Sequence, residues 1–208
     1  MPRRTRQPRS SPRSTPPVAR RLRCRPTPAI RQPCAAVAAV AERFGRIDIL
    51  VNNAGISVLG APTDIAFDDF ERILAVNVTG VFVATQEALR HMGAGGRIVH
   101  IGSSMVRYAA FPTASAYTLT KGAVTGFTRG LVRDLGPKGI TVNTVHPGPT
   151  DSDMNPAEGA VADFVKPGIA VGRYGKGSDI AAAVAYLVSD EASFVSGAEL
   201  LVDGGFTA

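Results

Sequence analysis

Residues 115–135 read SAYTLTKGAVTGFTRGLVRDL. The stretch reads as a helix from about Ala114 to Leu135, closed by Gly136-Pro137. Tyr117 and Lys121 lie four residues apart, which puts a phenol and an ammonium on one helix face. A phenol alone, with a pKa near ~10, is a poor proton donor or acceptor at neutral pH. A nearby cation favours the phenolate and draws that pKa toward the working range. Ser104 lies thirteen residues before the tyrosine and ends a strand-like run, RIVHIGSS, at 97–104. Its hydroxyl, brought alongside, can hydrogen-bond a substrate oxygen. Together the three residues describe a proton-transfer site for an alcohol or a carbonyl. Tyr-x-x-x-Lys alone is a weak signal, since a surface tyrosine beside a solvated lysine has the same spacing.

Outward from this helix the pattern alternates. CAAVAAVAERFG (34–45) reads as a short helix ended by Gly45, and IDILVNNAG (47–55) as a buried parallel-type strand entering a loop. A long helix is predicted from Phe67 to Met92, with Asp64 as N-cap and Gly93 as its stop. ITVNTVHPG (140–148) is a further strand, and residues 149–177 read as a long loop with short helical pieces. A capped helix comes next at 178–193, with Ser178 as N-cap, and ELLVDGG closes the chain's last strand. Strands alternating with helices predict an α/β fold, with helices packed over a parallel sheet. Ligands in such sheets bind beyond the C-terminal strand ends, where Asn53, Ser104 and Pro147-Gly148 fall.

The order and spacing of DILVNNAG (48–55), LAVNVTG (74–80), GRIVHIGSS (96–104), the Tyr-Lys helix, GITVNTVHPGPTDSDM (139–154) and SGAELLVDGG (196–205) closely resemble the short-chain dehydrogenase/reductase family. The likeness runs from about Ala35 to the C-terminus. It implies a Rossmann-like parallel sheet with flanking helices, and an oxidoreductase moving hydride between NAD(P)(H) and a secondary alcohol or ketone. Residue by residue, it implies catalytic roles for Ser104 (with Ser103 as the fallback), Tyr117, Lys121 and Asn77. Tyr117 would be general acid in reduction and general base in oxidation. Lys121 would lower the tyrosine's pKa and hold the nicotinamide ribose. Ser104 would polarise the carbonyl, and Asn77 would support a relay water. Asn77 also stands mid-helix, where asparagine is a mediocre helix former.

For the cofactor, the resemblance implies contacts from Asn53, Ala54 and Gly55, from Tyr117 and Lys121, and from Pro147, Gly148, Thr150 and Ser152. It implies a homo-oligomer, a dimer or tetramer, with Asp203-Gly204-Gly205 near a subunit contact. Asn143, and the histidines at 91, 100 and 146, read as structural, with no metal spacing.

One family feature is missing. The T-G-x-x-x-G-x-G turn, whose glycines let the backbone approach the pyrophosphate, has no counterpart, for no glycine precedes Gly45. The residue that would choose between NAD and NADP is missing with it. The expected domain is thus residues 35–208, lacking the N-terminal glycine-rich strand and its neighbours. Two readings result: a working oxidoreductase, or a non-catalytic remnant that associates with intact relatives. The NNAG strand is then expected to have one side unpaired and an apolar face uncovered.

Residues 1–34 contain ten arginines, eight prolines and no acid. Arginine and proline at this density predict a disordered or loosely extended tail. A transit peptide and a basic arm for nucleic acid are weighed and ranked below sequence from an altered reading frame or misplaced start. The arm has no aromatic residues for base stacking. The net charge of +6 belongs to this tail, since the remaining 13 basic and 17 acidic residues leave the body at −4. Cys24 and Cys34 are the only cysteines and match no redox or metal motif; a cysteine-free body fits a reducing cytoplasm. No run of apolar residues is long enough for a membrane span.

Overall fold

The computed structural model describes the backbone from Pro28 to Ala208 and side chains from Cys34. The expectation of an extended tail falls, for residues 1–27, outside the described residues. Helix α1 spans Pro28–Phe44, starting six residues before the predicted Cys34. Proline at the first helical position loses no hydrogen bond, so Pro28 suits a helix start.

Four strands form one parallel sheet in the order β1 (Ile49–Asn52), β2 (Arg97–Ile101), β3 (Thr141–Pro147), β4 (Glu199–Val202). The helices are α2 (Phe67–Leu74), α3 (Gly80–Ala88), α4 (Ser115–Leu135), α5 (Ala160–Val165) and α6 (Gly177–Val188). One sheet face carries Leu50, Ile98 and Val142, aligned in register, and packs against Leu131 and Leu135 of α4 and against α1 and α3. The opposite face carries Val99, Val145 and Leu200 and is covered by Leu187, Ile180 and Val184 of α6. Burial of aliphatic side chains on both faces is what a parallel sheet requires. Asn143, fully buried, ties β3 to the turn before β4 by donating to Val195 O and accepting from Ala198 N.

Strand β1 has the unpaired side and uncovered apolar face expected for the NNAG strand, in place of the full burial that its apolar run alone suggests. Ile49 and Val51 share one face and are 48% and 39% exposed. Among the described residues β1 pairs only with β2, and the cover from α6 does not reach it. Two cap assignments also change. Helix α2 starts after Ala66, without a side-chain cap, while Asp64 accepts from the Thr63 hydroxyl instead. Asp68 and Asp69 in its first turn supply the negative charge that a helix start favours. Helix α6 is capped through Asp179, whose carboxylate accepts from Lys176 N at 2.8 Å, in place of the expected Ser178 cap.

His100 stacks on Phe127 in the α4-side core, and its Nδ1 accepts from Asn52 Nδ2 at 3.0 Å. Burial lowers its pKa to about 4. The folded protein therefore resists a proton that the unfolded chain accepts below about 6.5. The stability this provides is complete above that pH and is lost as pH falls toward 4. Urea midpoints measured at pH 7 and pH 5 should drop by an amount on the order of 2 kcal/mol in stability. In His100→Gln most of that pH dependence should vanish.

Candidate active site

The predicted 67–92 helix is interrupted at the site. Residues Ala75–Thr79 form a π-helical turn between α2 and α3, in which Gly80 N donates to Ala75 O. A π-turn inserts one residue and rotates the helix beyond it, a device found at functional sites. Here it turns Asn77 inward to 1% exposure. Asn77 Oδ1 accepts from Ile56 N at 2.9 Å, and its Nδ2 donates to Ile56 O at 2.9 Å and Thr120 Oγ1 at 3.0 Å. The asparagine clamps the loop after β1 to α4, one residue before Lys121. Asn77→Ala leaves both Ile56 polar groups without their partner, and should cost about 2–3 kcal/mol in urea unfolding.

Lys121 is 5% exposed, and its Nζ donates to Ile101 O at 3.0 Å. Burial lowers its pKa to about 8. A methyl group on Gly55 would stand 3.3 Å from Lys121 Nζ and 3.4 Å from Asn77 Oδ1, so glycine keeps this pocket open. One of three ammonium donors is used on the protein, which leaves two for a ligand's hydroxyls.

Tyr117 sits one turn earlier on α4, with Lys121 Nζ 5.7 Å from its ring centroid. Burial raises the phenol's pKa, and the nearby Ser103 side chain pulls partly back. The sequence reading expected Lys121 to draw this pKa down. In the structure burial is the largest influence on it and acts in the opposite direction.

The two serines have different surroundings. Ser103 Oγ accepts from Met105 N at 3.2 Å and starts the short 3-10 turn Ser104–Val106. The Ser104 hydroxyl has no hydrogen-bond partner among the described residues. Both serines line one cavity of about 850 Å³ together with Tyr117, Pro147, Gly148, Thr150 and Ser152. Thr150 Oγ1 donates to Gly148 O at 3.0 Å, while Ser152 is exposed at the rim.

The sequence-predicted residues thus fall into three groups. Ser104, Tyr117, Pro147, Gly148, Thr150 and Ser152 share the cavity. Lys121, Asn77 and Gly55 form a buried cluster on the neighbouring side of α4. Asn53 and Ala54 stand exposed between β1 and Gly55, outside the cavity lining. The apolar cavity wall includes Leu59, Met105, Met154, Phe164 and Phe206; sequence reasoning missed Leu59 and Phe206 in it, and Thr120, the link between Asn77 and α4. Among the described residues Glu158 is the one charged side chain on that wall.

The nicotinamide-ribose end of a dinucleotide fits these residues, with the spare Lys121 donors beside Tyr117. At the pyrophosphate end the chain offers no glycine-rich turn before Gly45. Among the described residues no cluster of His, Cys, Asp and Glu suits a metal, and no helix is long and apolar enough to cross a membrane.

The family model described as enoyl-(acyl carrier protein) reductase matches residues 31–207. The cyclic-di-GMP-binding biofilm dispersal mediator protein of Escherichia coli is 45% identical over 175 residues, covering 83% of this chain and 73% of that protein. The 3-alpha-(or 20-beta)-hydroxysteroid dehydrogenase of Mycobacterium tuberculosis is 40% identical over 179 residues, 84% of this chain and 66% of that one. A solved short-chain dehydrogenase from Burkholderia cenocepacia in complex with NADP superposes with a TM-score of 0.82 at 50% identity, covering 85% of this chain and 72% of that one. This chain therefore spans about two thirds to three quarters of these relatives' length, and it belongs to the short-chain dehydrogenase/reductase family.

Proposed function

We propose that this chain moves hydride between a nicotinamide cofactor and an uncharged, apolar secondary alcohol or ketone. The observation that supports it best is the meeting of Tyr117 with both serines in one cavity, with Lys121 buried one turn further along the same helix. A bound nicotinamide supplies or accepts the hydride. Tyr117 donates its phenolic proton to the carbonyl oxygen in reduction and takes the hydroxyl proton in oxidation. The unpartnered Ser104 hydroxyl bonds the substrate oxygen, and Ser103 holds the phenol. Lys121 and Tyr117 take the ribose hydroxyls, and Pro147, Gly148, Thr150 and Ser152 wall the nicotinamide side. Aromatic and aliphatic lining with a single carboxylate favours an apolar substrate over an anionic one.

Cofactor binding by the purified chain tests this reading. Titration with NADPH and NADH, followed by fluorescence and calorimetry, should give saturable binding. No binding of either at millimolar concentration would remove the catalytic reading. A second reading, a non-catalytic member assembling with intact relatives, is supported by the exposed Ile49 and Val51 on the outer strand. Co-purification with a full-length relative would favour it, and a stable monomer that binds cofactor would oppose it.

A further inference from the structure

We infer that His146 is a positioning residue, whose Nδ1 accepts the Ser103 amide proton and so sets the turn that carries both serines. The importance of that turn rests on the reading of Tyr117 and its serines given above. His146 stands near the end of β3, on the same face as Val142 and Thr144, and Thr144 shares a hydrogen bond with Thr128 of α4. Its side chain is fully buried between sheet and helix.

The ring meets Ser103 twice, with Nδ1 3.1 Å from Ser103 N and 3.0 Å from Ser103 O. Among the described residues the Ser103 N–H has no other acceptor. A buried amide needs one, so Nδ1 carries a lone pair and the ring proton sits on Nε2. Nε2 has no hydrogen-bond partner but lies 3.7 Å from Glu199 Oε2, on the side where a proton is favoured. Arg129 of α4 pairs with the same carboxylate and fixes it in place.

A second feature points the same way. A methyl group on Gly102 would lie 2.4 Å from His146 Nδ1 and 2.6 Å from its Cε1. The end of β2 is therefore shaped around this imidazole. The groups acting on the ring are Glu199 from β4, Arg107 after the serine turn and Lys121 from α4. Burial, with the two cations, outweighs the Ser103 backbone and the Glu199 carboxylate, which both favour the protonated ring, and the ring stays neutral. The chain of contacts runs from His146 to the Ser103 amide, then through the Ser103 hydroxyl to Met105 N and Tyr117.

The experiment uses the full chain and needs no cofactor. Nitrogen NMR of the wild-type ring should show Nδ1 unprotonated and Nε2 protonated at neutral pH. His146→Leu should lower exchange protection of the Ser103 amide by about tenfold or more. It should also raise the Tyr117 phenol pKa, read by ultraviolet titration against a Tyr117→Phe background. His146→Asn, whose Oδ1 can take the place of Nδ1, should restore both. A protonated Nδ1 in the wild-type protein overturns the inference, and that reading stands even where His146→Leu fails to fold. An unchanged Ser103 amide and Tyr117 titration in a folded His146→Leu overturns it too. Failure to bind cofactor, with the expected tautomer present, would count against the proposed function and leave this inference intact.

Discussion

Tyr117→Phe should lower the rate of ketone reduction by about 10³-fold while leaving the fold unchanged. The substitution removes one oxygen and keeps the ring, so the packing of α4 is preserved. The lost contact with Ser103 is a single hydrogen bond, with an expected effect on stability within about 1 kcal/mol. Lys121 keeps its bond to Ile101 O, so one of the two ribose contacts remains and cofactor affinity should fall by no more than about tenfold. Steady-state rates at saturating NADPH, with circular dichroism as the folding control, make the comparison. A variant that retains a substantial part of the parent rate would remove Tyr117 from proton transfer. The direction of pH dependence comes from the same two residues. Burial keeps the phenol protonated through neutral pH, which suits it to donate. Lys121 holds its charge only below about pH 8, so reduction should weaken as pH rises through that value.

Gly148→Ala should destabilise the protein by about 3 kcal/mol. A β-carbon there would stand 2.5 Å from Asp203 Cβ and 2.6 Å from Asp203 Cα. Neither side has room to give. Gly148 N donates to Val202 O at 3.0 Å, which locks its own backbone to β4. Asp203 is held by its carboxylate, which accepts from Gly205 N, Thr207 N and Thr207 Oγ1. The strain would also shift Pro147 and Thr150 in the cavity wall. Gly126→Ala in α4 is the control, since a methyl group there meets nothing within 4 Å. It should gain roughly 0.5–1 kcal/mol from helix propensity. Urea unfolding of both variants checks the pair, and a Gly148→Ala midpoint equal to the parent's would contradict the close approach.

The glycines show where sequence reading reaches its limit. Gly148 stands out in the sequence as part of a Pro-Gly motif at a strand end, and the structure supplies the neighbour that makes it necessary. Gly102 gives no signal at all in the sequence. Its meaning depends on His146, forty-four residues away, which reads as an ordinary strand residue. The same holds for the two serines. A spacing count selects Ser104, and only the folded turn shows Ser103 against Tyr117 while the Ser104 hydroxyl has no partner among the described residues. The weak helix propensity of Asn77 is visible in the sequence, yet the π-turn that resolves it depends on contacts with Ile56 and Thr120.

By itself the sequence determined the elements and their order. The Tyr-Lys helix begins at Ser115 against an expected Ala114 and ends at the expected Leu135. Strands β2 and β3 fall within their apolar runs. These features depend on the periodicity of near neighbours, and periodicity is written along the chain. The tertiary structure alone decided which atoms meet. It placed Lys121 under Ile101 O rather than free beside the phenol, and set His146 behind the serine turn. Each of these results from packing between segments far apart in sequence, where burial outweighs the local pairing that a motif suggests.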